Sequence, residues 1–531
     1  MTAPAADRTR CSMFFPLTVR DFLDRAVTVY PDRIAVVDEP DQPAPSWGEI
    51  TYAELGRRAR SQAAYLDDLG VPRGGRVAIV SQNSARLLTS FFGVSGWGRV
   101  LVPVNFRLAP AEVKYIVEHS GAEVLIIDPE VRSLLDTVTA KHVIVIGEGD
   151  EPMWATHGDP QPWENPDPST GSGQGENATA TINYTSGTTA RPKGVQLTHR
   201  NLWTNASIFG WQASVNDRDV YLHTLPMFHA NGWGMPYAAT GMGAKHVVIR
   251  KIDGAEILRR VERHGVTFMC AAPAVVAAVL DAAKTWDGEI PGRDRVRIIV
   301  AGAPPPTRTI ERVRSDLGWE FIQIYGLTET SPLLTMSRMR AEWDDLEPLE
   351  QARLLGRAGA PAVGVRIMID DTGEVLAQSN HNLDAYWENP DATAASLEGG
   401  WFHTGDGGTF EDGHLTIADR KKDVIISGGE NVTSIEVEDA LMLHPAVREV
   451  AVIGIPDEKW GELVTALVVV DPDAEAVTAE VLIAHTRQHL AGYKCPKRIE
   501  FRDELARTAT GKLQKFKLRA PYWEGQQRQV N

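Results

Sequence analysis

The feature that most restricts this chain is an alternation of short apolar runs with helix-length segments. Arg76–Ser81 (RVAIVS) is an apolar run of strand length, Asn83–Trp97 is long enough for a helix, and Arg99–Val104 reads as a strand again. Pro110–His119 has helical spacing with proline at its first position, where a helix tolerates it, and Val124–Ile127 is a further strand. The pattern returns with a strand at His246–Ile249, a helix at Ala255–His264, and strands at Val266–Cys270 and Arg295–Val300. Strands separated by helices build a mostly parallel sheet covered on both faces, so the predicted fold class is α/β.

A chain of 531 residues exceeds what one hydrophobic core supports, so at least two domains are expected. The pattern changes near residue 410. Glu411–Ala418 reads as a hairpin turning at Asp412-Gly413, Asp419–Asp423 (DRKKD) is a short charged run, and the later pieces are brief. These are Val424–Ile426, a helix at Ser434–Leu443, Val447–Ile453 and Leu463–Val470. The expected organisation is a large N-terminal domain over 1–418, with parallel or mixed sheets flanked by helices. A hinge at 419–423 and a small mobile α+β domain over 424–531 follow. Gly147–Ala180, rich in Pro, Gly, Ser and acidic residues, is read as an exposed loop within the first domain.

Bulk properties exclude several classes. With 54 basic and 70 acidic residues the formal charge is −16, which disfavours nucleic acid or an anionic membrane as the main partner. Three scattered cysteines (Cys11, Cys270, Cys495) supply no disulfide framework and no CxxC knuckle, as expected for a reducing cytoplasm. The sequence holds no signal-peptide core and no run of 18 apolar residues, so no integral membrane association is expected.

The strongest local signal is Thr185-Ser186-Gly187-Thr188-Thr189-Ala190-Arg191-Pro192-Lys193-Gly194, after the strand-like Ala180–Tyr184. Four hydroxyls, two glycines and two cations in ten residues suit a polyphosphate. Glycine lets backbone N–H groups approach, hydroxyls add donors, and Lys193 brings a compact charge. The GxxxxGK[ST] phosphate loop is absent, and Gly171, Gly173 and Gly175 lie in the low-complexity loop rather than between a strand and a helix.

This loop resembles the signature of the acyl-adenylate-forming superfamily, which includes acyl-CoA synthetases, peptide-synthetase adenylation domains and beetle luciferases. Further motifs follow in that family's order. Tyr325-Gly326-Leu327-Thr328-Glu329-Thr330 resembles the segment that holds adenine and magnesium. An aromatic face stacks on a base, and a carboxylate suits Mg²⁺. Gly302-Ala303-Pro304 matches the adenine-side turn, and Trp401–Asp406 (WFHTGD) the segment whose aspartate accepts from ribose hydroxyls. The charged run resembles the hinge, with Arg420 reaching ribose or phosphate and Lys422 as pivot. Gly428-Gly429-Glu430 resembles the thioester-forming loop, and Arg507–Lys512 the catalytic-lysine motif.

The resemblance covers about Leu17–Leu518 and implies an ATP-dependent acid:CoA ligase of the acyl-CoA synthetase branch, using ATP, Mg²⁺ and coenzyme A. It implies catalytic roles for Lys512, Glu329, Thr328 and His229, with Glu329 and Thr188 at the metal. The segment Pro226–Trp233 resembles the pocket lining of medium-chain and aryl acid ligases. The implied acid pocket comprises His229, Asn231, Gly232, Trp233, Met269 and Cys270, favouring a short, medium-chain or aryl acid. Similarity to plant coumarate ligases implies a CoA-phosphate contact at Lys251, and dimeric relatives put a homodimer among the assemblies to expect. Two departures stand out: Ala190 where the family usually has Gly, and Ala506 where it often has Pro. Two other readings stay open. One is an adenylating enzyme that passes the activated group to a carrier protein, an amine or another acceptor; the other is a non-catalytic nucleotide-binding scaffold.

Overall fold

The computed structural model describes residues 15–155, 158–163, 175–185, 191–303, 305–420, 423–457, 459–472, 474–507 and 513–524. Ser186, Gly187, Thr188, Thr189, Ala190, Pro304, Lys422 and Lys512 lie outside the described residues.

The alternating segments form two sheets. In the first, Arg76–Val80, Val100–Val104, Ala122–Ile127, His142–Val145 and Thr179–Thr185 run parallel, and Lys193–Thr198 and Ala385–Tyr386 add antiparallel at one edge. In the second, a parallel block of Ile34–Val37, Lys245–Val248, Val220–His223, Phe268–Ala271, Arg297–Val300 and Glu320–Gly326 is flanked by antiparallel strands. Strands such as Val100–Val104 and Phe268–Ala271 are buried along their whole length, because helices cover both faces. The predicted helix at Asn83–Trp97 is shorter than expected. Ser84 caps it by accepting from Leu87 N, it runs over Ala85–Gly93, and a 3₁₀ turn follows at Ser95–Trp97. Within the predicted loop Gly147–Ala180 a short helix forms at Glu151–Ala155.

A buried polar seam joins the two sheets where their parallel strands end. Arg250, after Lys245–Val248, holds Asp128 at 2.9 Å and Glu130 at 2.8 Å across the sheets. Asn83 donates to the carbonyls of His223 (2.8 Å), Leu225 (3.0 Å) and Ile249 (3.3 Å) and accepts from Met227 N at 2.7 Å. The loops leaving the carboxyl ends of both sheets are thereby gathered in one place, which is where α/β sheets bind ligands.

A third, four-stranded antiparallel sheet contains the predicted hairpin. Its arms are longer than expected, Phe402–Glu411 and His414–Arg420, and the turn residues Asp412 (φ 49°) and Gly413 (φ 74°) are both left-handed, as a tight hairpin requires. Beyond it, a five-stranded sheet with its own core of Ile425, Val437, Val452, Val464 and Val468 carries the C-terminal segment. Its helix Ser434–Met442 docks on the helix Thr307–Ser315: Thr307 donates through N (2.9 Å) and Oγ1 (3.0 Å) to the Asp439 carboxylate, and Arg308 donates to Leu443 O at 3.2 Å. Among the described residues no helix is long and apolar enough to cross a membrane.

Candidate functional site

The Thr185–Lys193 hairpin opens the site. Thr185 ends one strand and pairs with Lys193 at the start of the next. The Lys193 ammonium lies 4.9 Å from the centroid of the Tyr386 ring. Tyr386 bridges the sheets: its backbone pairs with Val195 in the first, and its hydroxyl donates to Glu329 Oε1 of the second at 2.9 Å. Burial and the adjacent Glu329 carboxylate push the Tyr386 hydroxyl well above its usual pKa, so it remains a donor. A cavity of about 370 Å³ beside Lys193 is walled by Tyr115, His119, Arg191 and Trp387 among others.

Glu329 sits in the single 3₁₀ turn Thr328–Thr330 that follows the strand Glu320–Gly326. Gly326 is required there, since a Cβ would fall 1.5 Å from Pro332 O. Thr330 Oγ1 accepts from Leu327 N at 2.9 Å, and Leu383 N donates to Glu329 O at 2.6 Å, fixing the turn from two sides. At the end of the same strand, Tyr325 Oη donates to Asp406 Oδ2 at 2.8 Å. Asp406 stands opposite Arg420 in the third sheet, so backbone register brings these two positions together. Gly302, after Arg297–Val300, adopts φ +97°, a conformation that glycine takes without strain, and Ala303 follows it.

Among the described residues no group of three His, Cys, Asp or Glu is placed to hold a metal ion. Mg²⁺ needs no such group, because it takes one or two protein carboxylates and completes its shell with phosphate and water. The Glu329 carboxylate, steadied by Tyr386, fits that requirement.

The segment after Pro226 is strained. Ala230, Asn231, Gly232 and Trp233 have φ of 44°, 54°, 56° and 60°, and Gly234 follows at 79°, so the chain makes a complete left-handed turn. The left-handed conformation costs about 1–2 kcal/mol per non-glycine residue, hence about 3–6 kcal/mol for Ala230, Asn231 and Trp233 together. Such strain persists only where surroundings impose it, and it concentrates at functional sites. His229, half-buried, precedes the turn and donates its N–H to Pro226 O at 3.0 Å.

Several residues sit differently from the sequence-based expectation. Met269 and Cys270 are neighbours on one strand and project to opposite faces. Cys270 joins the core that contains Trp233, whereas Met269 packs with Ile257, Val261, Val276 and Leu280 under the helices on the other face. They therefore cannot wall the same pocket. Burial pushes the Cys270 thiol up to about 12, so it is an inert apolar group. Asn231 is fully buried and its amide is engaged by Asn183 and Thr181, which makes it a support rather than a lining residue. Lys251 is exposed beside the buried Arg250. Gly428, Gly429 and Glu430 form the exposed tip of the hairpin Ile425–Ser427/Glu430–Val432, with Gly428 against the Trp460 ring. Sequence reasoning missed Tyr386, Asn83, Asn183 and Asp439. They belong to no motif quoted above, and their contacts join segments 48 to 144 residues apart.

An aromatic platform joined to a carboxylate, a second carboxylate held by a tyrosine that also faces a lysine, and a loop of phosphate-binding composition define a nucleotide-handling enzyme. The chain belongs to the AMP-binding enzyme family, whose profile matches residues 23–384; the AMP-binding enzyme C-terminal domain matches 436–512. It is 37% identical to 4-hydroxybutyrate–CoA ligase 2 of Metallosphaera sedula, covering 96% of this chain and 95% of that one. It is 35% identical to a 2-methylpropanoate–CoA ligase of Humulus lupulus, over 95% of each. The crystal structure of the anthranilate CoA ligase AuaEII in complex with anthranoyl-AMP superposes with a TM-score of 0.83 at 26% identity, covering 96% of this chain and 98% of that one.

Proposed function

We propose that this protein is an ATP-dependent acid:CoA ligase acting on a short or aryl carboxylic acid. The observation that carries the reading is the pair of bonds Tyr325–Asp406 and Tyr386–Glu329, the first a nucleoside-type group and the second a phosphate-type group whose tyrosine also faces Lys193. Relatives named as ligases of four-carbon acids support the acid class, and the structural likeness to a ligase holding an acyl-AMP supports the intermediate. In the first step the carboxylate attacks the α-phosphate and pyrophosphate leaves. Two anions must meet, so positive charge has to be preorganised where negative charge develops. Lys193 and Lys512 supply it; Glu329 and Thr188 would hold Mg²⁺, which when bound would neutralise charge on the outer phosphates. Thr185, Ser186, Gly187 and Thr189 cradle those phosphates. Tyr325, Gly302, Ala303 and Pro304 take the adenine, and Asp406 and Arg420 the ribose.

In the second step the CoA thiol attacks the acyl-adenylate carbonyl and AMP leaves. The exposure of Gly428–Glu430 in the present arrangement supports a rotation about Lys422 that brings this hairpin to the site for thioester formation, with a boundary at 419–423. The acid pocket is then built around His229, Gly232, Trp233 and the Cys270 face of the second sheet, and Lys251 is placed for a CoA phosphate. Sparse cysteine supports a cytoplasmic location.

The test is a panel from acetate to palmitate plus aryl acids with ATP and Mg²⁺, scoring AMP and acyl-CoA by mass spectrometry with and without CoA. CoA-dependent thioester from short or aryl acids is the expected result. Adenylate without thioester would reassign the acceptor. Tyr386→Phe removes a hydrogen bond to a charged group, worth about 1.5–3 kcal/mol, so adenylation should slow at least tenfold with the fold retained. An unchanged rate across Mg²⁺ concentrations would detach Tyr386 from Glu329 function.

A further inference from the structure

The strained turn is tied to the phosphate strand by a closed ring of side-chain hydrogen bonds. Asn183 Nδ2 donates to Asn231 Oδ1 (3.0 Å), Asn231 Nδ2 donates to Thr181 Oγ1 (3.0 Å), and Thr181 Oγ1 donates to Asn183 Oδ1 (2.8 Å). Thr181 and Asn231 are fully buried and Asn183 is 2% exposed. Thr181 and Asn183 share one face of the strand Thr179–Thr185, as residues two apart must. That strand delivers Thr185 to the phosphate loop, and Asn231 is the second residue of the left-handed turn that follows His229.

We propose that Thr181, Asn183 and Asn231 are positioning residues that lock the acid-side turn to the phosphate strand, fixing where the acid carboxylate meets the α-phosphate. This rests on the ligase reading above. Three features carry it. Each donor in the ring meets an acceptor, so none of the three side chains can lose its polar group without stranding a buried partner. The turn adopts a conformation that its non-glycine residues resist, so something outside it must hold it. The ring supplies such a hold, through the one turn residue whose side chain both donates and accepts, and its other end is the phosphate strand rather than a remote part of the core. The ring touches no reacting group, so its effect passes through the geometry of the two segments it joins.

The test uses the full chain with Thr181→Val, which removes the hydroxyl at nearly constant volume, Thr181→Ser, which keeps it, and Asn231→Gly, which tolerates the left-handed backbone but deletes the ring. Hydrogen exchange is measured by mass spectrometry over 227–235 and 179–185. Adenylation is measured against acid and against ATP separately. The expected result is faster exchange in both segments for Thr181→Val and Asn231→Gly. The kcat/KM for the acid should fall at least tenfold, the KM for ATP should stay within about twofold, and Thr181→Ser should remain near wild type. Wild-type exchange at 227–235 in Thr181→Val would overturn the lock whatever acids the enzyme uses. A parallel rise in both KM values with a general rise in exchange would also overturn it, by reducing the ring to ordinary core packing. If the wild type forms no adenylate from any acid, the ligase reading fails while the exchange result still decides the lock.

Discussion

Replacing Lys512 by alanine is expected to slow acyl-AMP formation by about 10²–10³-fold without altering the melting temperature. That is the usual loss when one preorganised charge is withdrawn from a developing anion. The two residues that bracket the segment carrying Lys512 are tied down. Arg507 pairs with Leu513 as an antiparallel bridge, and Arg507 reaches Glu449 at 2.7 Å. The second half-reaction separates the roles. When acyl-AMP is supplied directly, thioester formation by the variant should fall far less, because the rotation proposed above assigns that step to the Gly428–Glu430 hairpin instead. Single-turnover rates for each half-reaction check this, and wild-type adenylation by the alanine variant would remove Lys512 from the mechanism.

The second large effect is on stability in acid. His199, His246 and His381 are fully buried, and burial depresses their pKa values to about 3, about 3 and about 4. His246 is held neutral between His223 Nε2 at 2.9 Å and Thr240 Oγ1 at 3.0 Å, and His223 is likewise pushed well below its ordinary value by burial. In the unfolded chain each protonates near pH 6.5. Below that pH the unfolded state binds more protons, so their contribution is complete above about pH 6.5 and is lost as pH falls toward 4. Each of the three costs about 1.4 kcal/mol per pH unit in that window, or about 4 kcal/mol together, against a typical total stability of about 5–15 kcal/mol. Melting temperature should therefore drop steeply between pH 6.5 and 5, with unfolding before pH 4. A melting temperature that is flat across pH 6.5–5 would show that these histidines titrate alike in both states.

The sequence by itself determined the α/β class, the order of the motifs and the composition of the phosphate loop. These rest on local rules. Period and run length separate strands from helices, Gly and Pro punctuate turns, and a polyphosphate needs amide donors, hydroxyls and cations close together in the chain. Tyr325, Glu329 and Asp406 stand out in the sequence because their segments are motif-like over six residues. What only the tertiary structure decided concerns side chains that meet across long stretches of chain. The Tyr386 hydroxyl on Glu329, the Asn183–Asn231–Thr181 ring and the Asp439 carboxylate on Thr307 carry no local pattern. The same limit explains Met269 and Cys270. Adjacent in sequence and alike in apolar character, they read as one wall, but alternation along a strand sends them to opposite faces, and only the placed helices show which face is which. Left-handed backbone at Ala230 and Trp233 is equally invisible in sequence, because no local preference favours it there and only the contacts that hold it make it the native conformation.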